Sequence, residues 1–170
     1  MKPKIRYLDG LEVDGLELEP ETLIRVNRSA ATVKGGRSFS FGALSISGNK
    51  KGIVGYGYGK SRQVPGAIEK AARDGRKHLQ RVPLTEHGSI PHEVEAWYGG
   101  SMVRLIPASA GTGIIAAPPV RAVCEMAGVK NILSKCYGST NPTNIVKASL
   151  AALAQLRTPD QVAQGRGVNL

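Results

Sequence analysis

From Arg25 onward, polar and apolar positions alternate in three successive runs, "RVNRSAATV", "SFSFGALSIS" and "IVGYGY". A period of two is the signature of a strand. The breaks between the runs, "KGGR" and "GNKKG", have the glycine-rich composition of tight hairpins. The pattern predicts a three-stranded antiparallel sheet from Arg25 to Tyr58, with Gly35-Gly36 and Gly48-Asn49 supplying the positive φ angles of the turns. After Ser61 the period changes. Pro65 suits a first helical turn, and Ala67, Ile68, Ala71, Ala72, Gly75 and Leu79 fall on one helical face.

"RVPLTEHGSIPH" has no period and carries two prolines and a glycine, which predicts a domain boundary. Beyond it the pattern predicts a hairpin, "HEVEAWY" and "SMVRLIPA", turning at Gly99-Gly100, and then a glycine-rich loop, "SAGTGIIAAPP". A helix, "VRAVCEMA", ends at Gly128, a suitable left-handed cap, and a strand, "KNILSKCY", follows. In the last long element Asn141 caps, Pro142 starts, and "TNIVKASLAALAQL" is apolar nearly all round, as in a buried helix. The expected class is therefore α+β. Its segments are an acidic, aperiodic arm at 1–21, loose or docked on a partner, a first domain at 22–85, a second at 86–157 and a flexible tail at 158–170.

Charge changes this picture. The net +10 is uneven: residues 1–21 carry three basic and six acidic side chains, residues 22–85 thirteen and two, and residues 86–170 seven and five. The first domain alone has the electrostatic footprint of a polyanion binder. Arg73, Arg76, Lys77 and Arg81 crowd the end of the first helix, where cations also complement the helix dipole, so part of this charge suits a solvated face. No apolar run approaches the length of a membrane span, and "MKPKIRYLDG" lacks the apolar stretch of a secretory signal, so no membrane partner is expected.

"VGYGYGKS", residues 54–61, invites a phosphate-loop reading that fails on counting. Glycine, four residues, then Gly59-Lys60-Ser61 would require a glycine at 54, where Val54 stands. A dinucleotide fingerprint starting at Gly57 fails at Arg62. Alternation instead places Val54, Tyr56 and Tyr58 on one strand face and Ile53, Gly55 and Gly57 on the other. Two readings fit the glycines: close packing of the following helix, or close approach of a nucleic-acid backbone. The tyrosines fit either a core face or a base-stacking platform. Lys60, Ser61 and Arg62 stand where strand hands over to helix, a favourable place for phosphate oxygens. Lys34, Arg37, Lys50 and Lys51 on the hairpin tips are expected to converge with them, and Arg25 and Arg28 on the first strand with Gly35 and Gly36 complete the candidate RNA-binding set.

Other candidate chemistry is thin. Cys124 shares a helical apolar stripe with Val120, Val123 and Ala127 and reads as core, and with Cys136 it is expected to be a free thiol. Four residues, one of them Pro91, separate His87 from His92, poor spacing for a metal, and no metal site or cofactor is expected. Asp74 reads as locally paired with its basic neighbours, Ser101 as a turn residue, and Trp97 as core, with a partner-facing position as the other reading. "PASAGTGIIAAPP" has the outline of a small-molecule kinase loop, yet Ile114, Ile115, Ala116 and Ala117 supply no hydroxyl beside a phosphate. The chain is expected not to be an enzyme and to have no small-molecule substrate.

The order "VNRSAATVKGGRSFSFGALSISGNKKGIVGYGYGK", "VPGAIEKA", "GTGII" and "RAVCEMAGVKNILSKCYGSTNP" resembles the S-five family of bacterial-type small-subunit ribosomal proteins, from about Asn27 to Leu156. The resemblance implies an N-terminal domain similar to double-stranded-RNA-binding domains and a C-terminal β-β-α-β-α domain. It also implies binding to small-subunit ribosomal RNA, contact with ribosomal proteins S-four and S-eight, a place at the messenger RNA entrance channel and an influence on translational accuracy. By the same resemblance the "VKGGR" loop lies near the RNA neck, Gly113 and Arg121 lie at the S-four contact, and Gly111 is grouped with them. The implied location is the cytoplasmic ribosome, with an organellar ribosome equally compatible. A free RNA-binding regulator is the alternative.

Overall fold

The computed structural model describes Tyr7, Leu8 and residues 16–167. Of the expected arm and tail, residues 1–6, 9–15 and 168–170 lie outside the described residues. The class is α+β, built on two antiparallel-rich sheets. The first has the order β1-β2-β3-β4, with β1 at Thr22–Val33, β2 at Gly36–Gly48, β3 at Ile53–Ser61 and a short β4 at Gln80–Arg81. The three expected strands form, and β4 adds a fourth, pairing only with Ile53 and Val54. Helix α1 spans Val64–Gly75 with Pro65 in its first turn, and a 3-10 turn follows at Arg76–His78.

Glycine decides how α1 docks. A Cβ on Gly55, Gly57 or Gly59 would run into backbone of the helix or of the turn after it: His78 and Gly75, Ala71 and Gly75, and Ala67 and Ala71 respectively. Alternate glycines thus make one face of β3 flat enough for backbone-to-backbone packing, and Ala43, Ala67 and Ala71 form a small core beside them. Of the two readings of "VGYGYGKS", helix packing accounts for its glycines.

The second sheet has the order β5-β6-β8-β7, with β5 at Val94–Tyr98, β6 at Ser101–Pro107, β7 at Ile114–Ile115 and β8 at Ile132–Gly138. Between β7 and β8 runs α2, Pro118–Ala127, ended by Gly128 in the left-handed region at φ 86°. Helix α3, Pro142–Leu153, is capped by Asn141, whose side chain accepts from the Thr143 amide at 3.2 Å. Where a flexible tail was expected, α4 forms at Pro159–Arg166. Thr158 and Gln161 make a capping box, each bonding the backbone of the other, and this supplies the start signal that apolar periodicity does not.

The two sheets share one core rather than meeting across a free linker. Leu44, Ile46 and Val54, on the face of the first sheet away from α1, pack into the same cluster as Val103, Leu105, Val123 and Leu150. At the joint, the amides of Lys50 and Gly52 donate to the carbonyls of Met126 and Ala127 at 3.0 and 2.9 Å. Here the turn expectation needs correcting: Gly48 lies within β2, and the positive φ angles fall at Lys50 (53°) and Gly52 (93°). Gly48 is small for another reason, because a Cβ there would strike the Met126 carbonyl. A buried side-chain bond, from Gln80 Nε2 to the Leu150 carbonyl at 2.9 Å, crosses the same junction. Two described parts of the N-terminal arm also dock, Leu8 through its amide to Leu79 O at 2.8 Å and Glu19 to Gly48 O at 2.9 Å.

Trp97 is not in the core: it is 60% exposed on β5. Ser101, expected in a turn, opens β6 and is buried, its hydroxyl donating to Ser139 O at 2.7 Å. Cys124 is buried as expected, and burial pushes its thiol up to about 12.

Candidate nucleic-acid interface

Antiparallel connectivity divides the candidate cations into two groups. In a meander, the β1–β2 turn and the β2–β3 turn stand at opposite ends of β2. With thirteen residues in β2, those turns are roughly 40 Å apart. Lys34, Gly35, Gly36 and Arg37 therefore occupy one end and Lys50 and Lys51 the other. Lys50 is further committed by its ion pair with Glu19, at 3.3 Å, and by its amide at the joint. The expected convergence of all the hairpin tips with the helix entrance fails for this pair.

The remaining cations lie toward the first end. Phe41 pairs with Ser61, so β2 and β1 run on beyond β3 as a two-stranded hairpin, Ser29–Val33 against Gly36–Ser40. Five residues per strand extend it about 17 Å past the sheet. Every residue from Asn27 to Phe39 is exposed. Gly36 adopts φ 127°, which few other residues tolerate. Arg28 lies 3.6 Å over the Phe39 ring, a cation–π contact that stiffens the hairpin's base.

At that base is a cradle. Ser40, Lys60, Ser61, Arg62 and Lys70 line an open cavity of about 530 Å³ at the start of α1. The helix presents no acidic residue in its first turn and Gln63 makes no side-chain cap, so the positive end of the helix dipole is unopposed. Lys70 is drawn in from α1 by a long bond from its Nζ to the Lys60 carbonyl, 3.5 Å. One turn later Asp74 accepts from the Tyr58 amide at 3.0 Å. Below the short β4, the free edge of β3 is thus occupied by helix side chains, which corrects the reading of Asp74 as paired only with basic neighbours.

On the face away from α1, Arg25 shares a row with Leu44 and Tyr58, and Lys60 shares one with Gly42 and Asn27. Tyr58 is 47% exposed, whereas Tyr56 is half-buried, stacked on His78 with ring centroids 5.2 Å apart, and its hydroxyl is pushed up by burial. Of the two tyrosines, only Tyr58 offers a ring to a partner.

In the second half, Gly111 and Gly113 sit in the β6–β7 loop at φ 92° and 73°, with open space where side chains would be. Their amides converge on one acceptor, Asn131 Oδ1, each at 3.1 Å, while Asn131 Nδ2 donates to His87 O at 3.0 Å. Ser89 holds the loop's other end through the Ala108 amide, 3.1 Å. Arg121 is exposed in the first turns of α2. His92 is a structural residue as well, its Nε2 accepting from the Arg157 amide at 3.1 Å. Sequence reasoning missed Ser40, Lys70 and Asn131. No local pattern marks them, because each acquires its role from a neighbour distant in the chain.

Two family models and several known proteins match the chain. Residues 20–83 match the family model described as "Ribosomal protein S5, N-terminal domain", and residues 96–166 match "Ribosomal protein S5, C-terminal domain". The chain is 51% identical to the small ribosomal subunit protein uS5 of Rhodopirellula baltica over 160 residues, covering 94% of this chain and 88% of the relative. It is likewise 51% identical to that of Tolumonas auensis, covering 96% and 97%, and 50% identical to that of Shewanella baltica OS155, covering 96% and 95%.

Proposed function

Because the chain belongs to the ribosomal protein S5 family, we propose that its first half grips small-subunit ribosomal RNA through the cradle at the start of α1 and the hairpin above it. The protein is a structural component of the small ribosomal subunit and not an enzyme. The observation that carries the RNA reading is the cavity of Lys60, Ser61, Arg62, Lys70 and Ser40 at an uncapped, acid-free helix start. Cations and hydroxyls on a loop and a helix end suit phosphates and 2'-hydroxyls, the groups by which duplex RNA is read. Lys34, Arg37, Arg28 and Arg25, with the glycines Gly35 and Gly36 that let the tip approach closely, extend the contact along the hairpin. Lys50 is held at the joint, and Lys51 stands beside it at the end of the sheet away from the cradle.

The division of labour follows charge. Residues 22–85 form the RNA-binding unit and residues 86–157 a unit directed more toward proteins, with Gly111, Gly113 and Arg121 facing ribosomal protein S-four and a further contact to S-eight. Placement beside the messenger RNA entrance channel and an effect on decoding accuracy belong to the same reading, as does residence on cytoplasmic ribosomes. The test is Lys60→Glu combined with Arg62→Glu. Binding to small-subunit ribosomal RNA should weaken, and the slope of log affinity against log salt should fall by about two. Thermal stability should stay nearly constant, since exposed cations contribute little to folding. Unchanged affinity in the double variant would assign both residues to solvent.

A further inference from the structure

Helix α4 is fastened to the rest of the chain by one imidazole. Leu156 is the last buried side chain before it, and α4 itself has no buried residue. Pro159, Val162, Ala163 and Arg166, spaced i, i+3, i+4 and i+7, share one helical face, which lines an open cavity of about 410 Å³ together with Pro91, His92 and Arg157. A helix standing over a cavity gains little from burial, so polar contacts decide whether it stays. Among the described residues, the hydrogen bonds of Thr158 to Gly167 remain within that segment. The fastening lies one residue earlier, where the Arg157 amide donates to His92 Nε2 at 3.1 Å. The other ring nitrogen, Nδ1, is 2.8 Å from the Glu93 carbonyl, a group that accepts and never donates.

Together the two bonds fix the protonation state. An imidazole that accepts at Nε2 and donates at Nδ1 is neutral, with its one proton on Nδ1. In the imidazolium both nitrogens carry protons, and the new N–H would point at the Arg157 N–H, donor against donor. We propose that His92 is a proton-sensitive latch: neutral, it holds the segment from Arg157 to Gly167 against the second half, and protonated, it releases that segment. The charges around the cavity act in the same direction. Arg157 and Arg166 line it with His92, so an imidazolium there is a third positive charge beside two guanidiniums. Of the acids nearest in the chain, Glu93 is held by Arg104, and Asp160 lies in the first turn of α4 but not on the cavity wall. His92 is exposed, so a proton reaches it without prior opening of the fold. Histidine is also the side chain whose charge ordinarily changes between about pH 5 and 8.

The latch is a property of the free chain and stands apart from the RNA reading. Its test is an NMR titration of the isotopically labelled full chain from about pH 8 to about pH 5, following the His92 ring, the backbone of Thr158 to Gly167, and α3 and β8 as internal references. The helical shifts of α4 should decay with the same midpoint as the His92 ring, while α3 and β8 stay folded. Exchange of the Arg157 amide, corrected for the intrinsic effect of pH, should be about tenfold faster at the acid end. His92→Phe, which removes the acceptor, should leave α4 released at every pH. His78→Gln and His87→Gln should leave the transition where it is, because neither side chain touches the segment. An α4 that stays helical while His92 titrates, a His92 ring that does not titrate in this range, loss of α4 only together with α3 and β8, or an unchanged transition in His92→Phe would each overturn the latch.

Discussion

Gly57 on β3 and Ala71 on α1 meet backbone to backbone: a Cβ on Gly57 would overlap the Ala71 carbonyl and crowd the Gly75 amide. This contact sets the depth at which α1 sits on the sheet, and through it the position of the cradle at the helix start. Gly57→Ala should therefore cost about 2 kcal/mol of stability through overpacking of rigid backbone. Gly35→Ala, at a position with open space around it, should change stability by less than about 0.5 kcal/mol. Urea denaturation of the two variants beside the parent measures both.

The joint between the halves depends on Gly48 and on Gly128, each packed against backbone of the other half. Gly48→Val should push the β2–β3 turn off the end of α2. Amide hydrogen exchange at Lys50 and Gly52, whose N–H groups donate to Met126 and Ala127, should accelerate in that variant. Exchange in the centre of α3 should change much less if the effect is confined to the joint, and equal acceleration in both places would refute a local role.

Asn131 is the fixed point of the β6–β7 loop. Asn131→Ala removes the acceptor of two glycine amides and the donor to His87 O, and should destabilise by about 1–3 kcal/mol. The amides of Gly111 and Gly113 should lose exchange protection before those of β8. Retained protection at both would show that the loop is held by other means.

The two cysteines should differ in reactivity. Cys124 is fully buried with its thiol pushed up to about 12, so thiolate is scarce at neutral pH, whereas Cys136 is only half-buried and raised less. Iodoacetamide on the native protein should label Cys136 first, and the difference should vanish on unfolding. Raising the pH through the ordinary thiol range should weaken folding, since the unfolded chain ionises Cys124 before the folded one does.

Much of the fold was legible because its signals are local. Period-two runs gave β1, β2 and β3, Gly128 marked the end of α2, and Asn141 with Pro142 marked the start of α3. The strands β4 and β7 have two residues each, too few to show any period. Helix α4 carries its start signal in Thr158, Pro159 and Gln161, but with no buried residues it lacks the apolar stripe by which helices are recognised. For the candidate site, Lys60, Ser61 and Arg62 were legible as a strand-to-helix transition. Lys70 and Ser40 were not, because they reach the same cavity from α1 and β2 only once the glycine face of β3 has docked the helix. The misplaced pair, Lys50 and Lys51, has a topological reason: charge along the sequence does not register that successive turns of a meander point in opposite directions.

The central claim is that RNA lies against the start of α1 and the hairpin beyond it, and a residue-level map of protein–RNA crosslinks in intact small subunits tests it most directly. The predicted map has adducts at Lys60 to Arg62, at Lys70 and along Lys34 to Arg37, with none at Lys50 or Lys51. Adducts concentrated at Lys50 and Lys51, with the cradle residues unmodified, would contradict it.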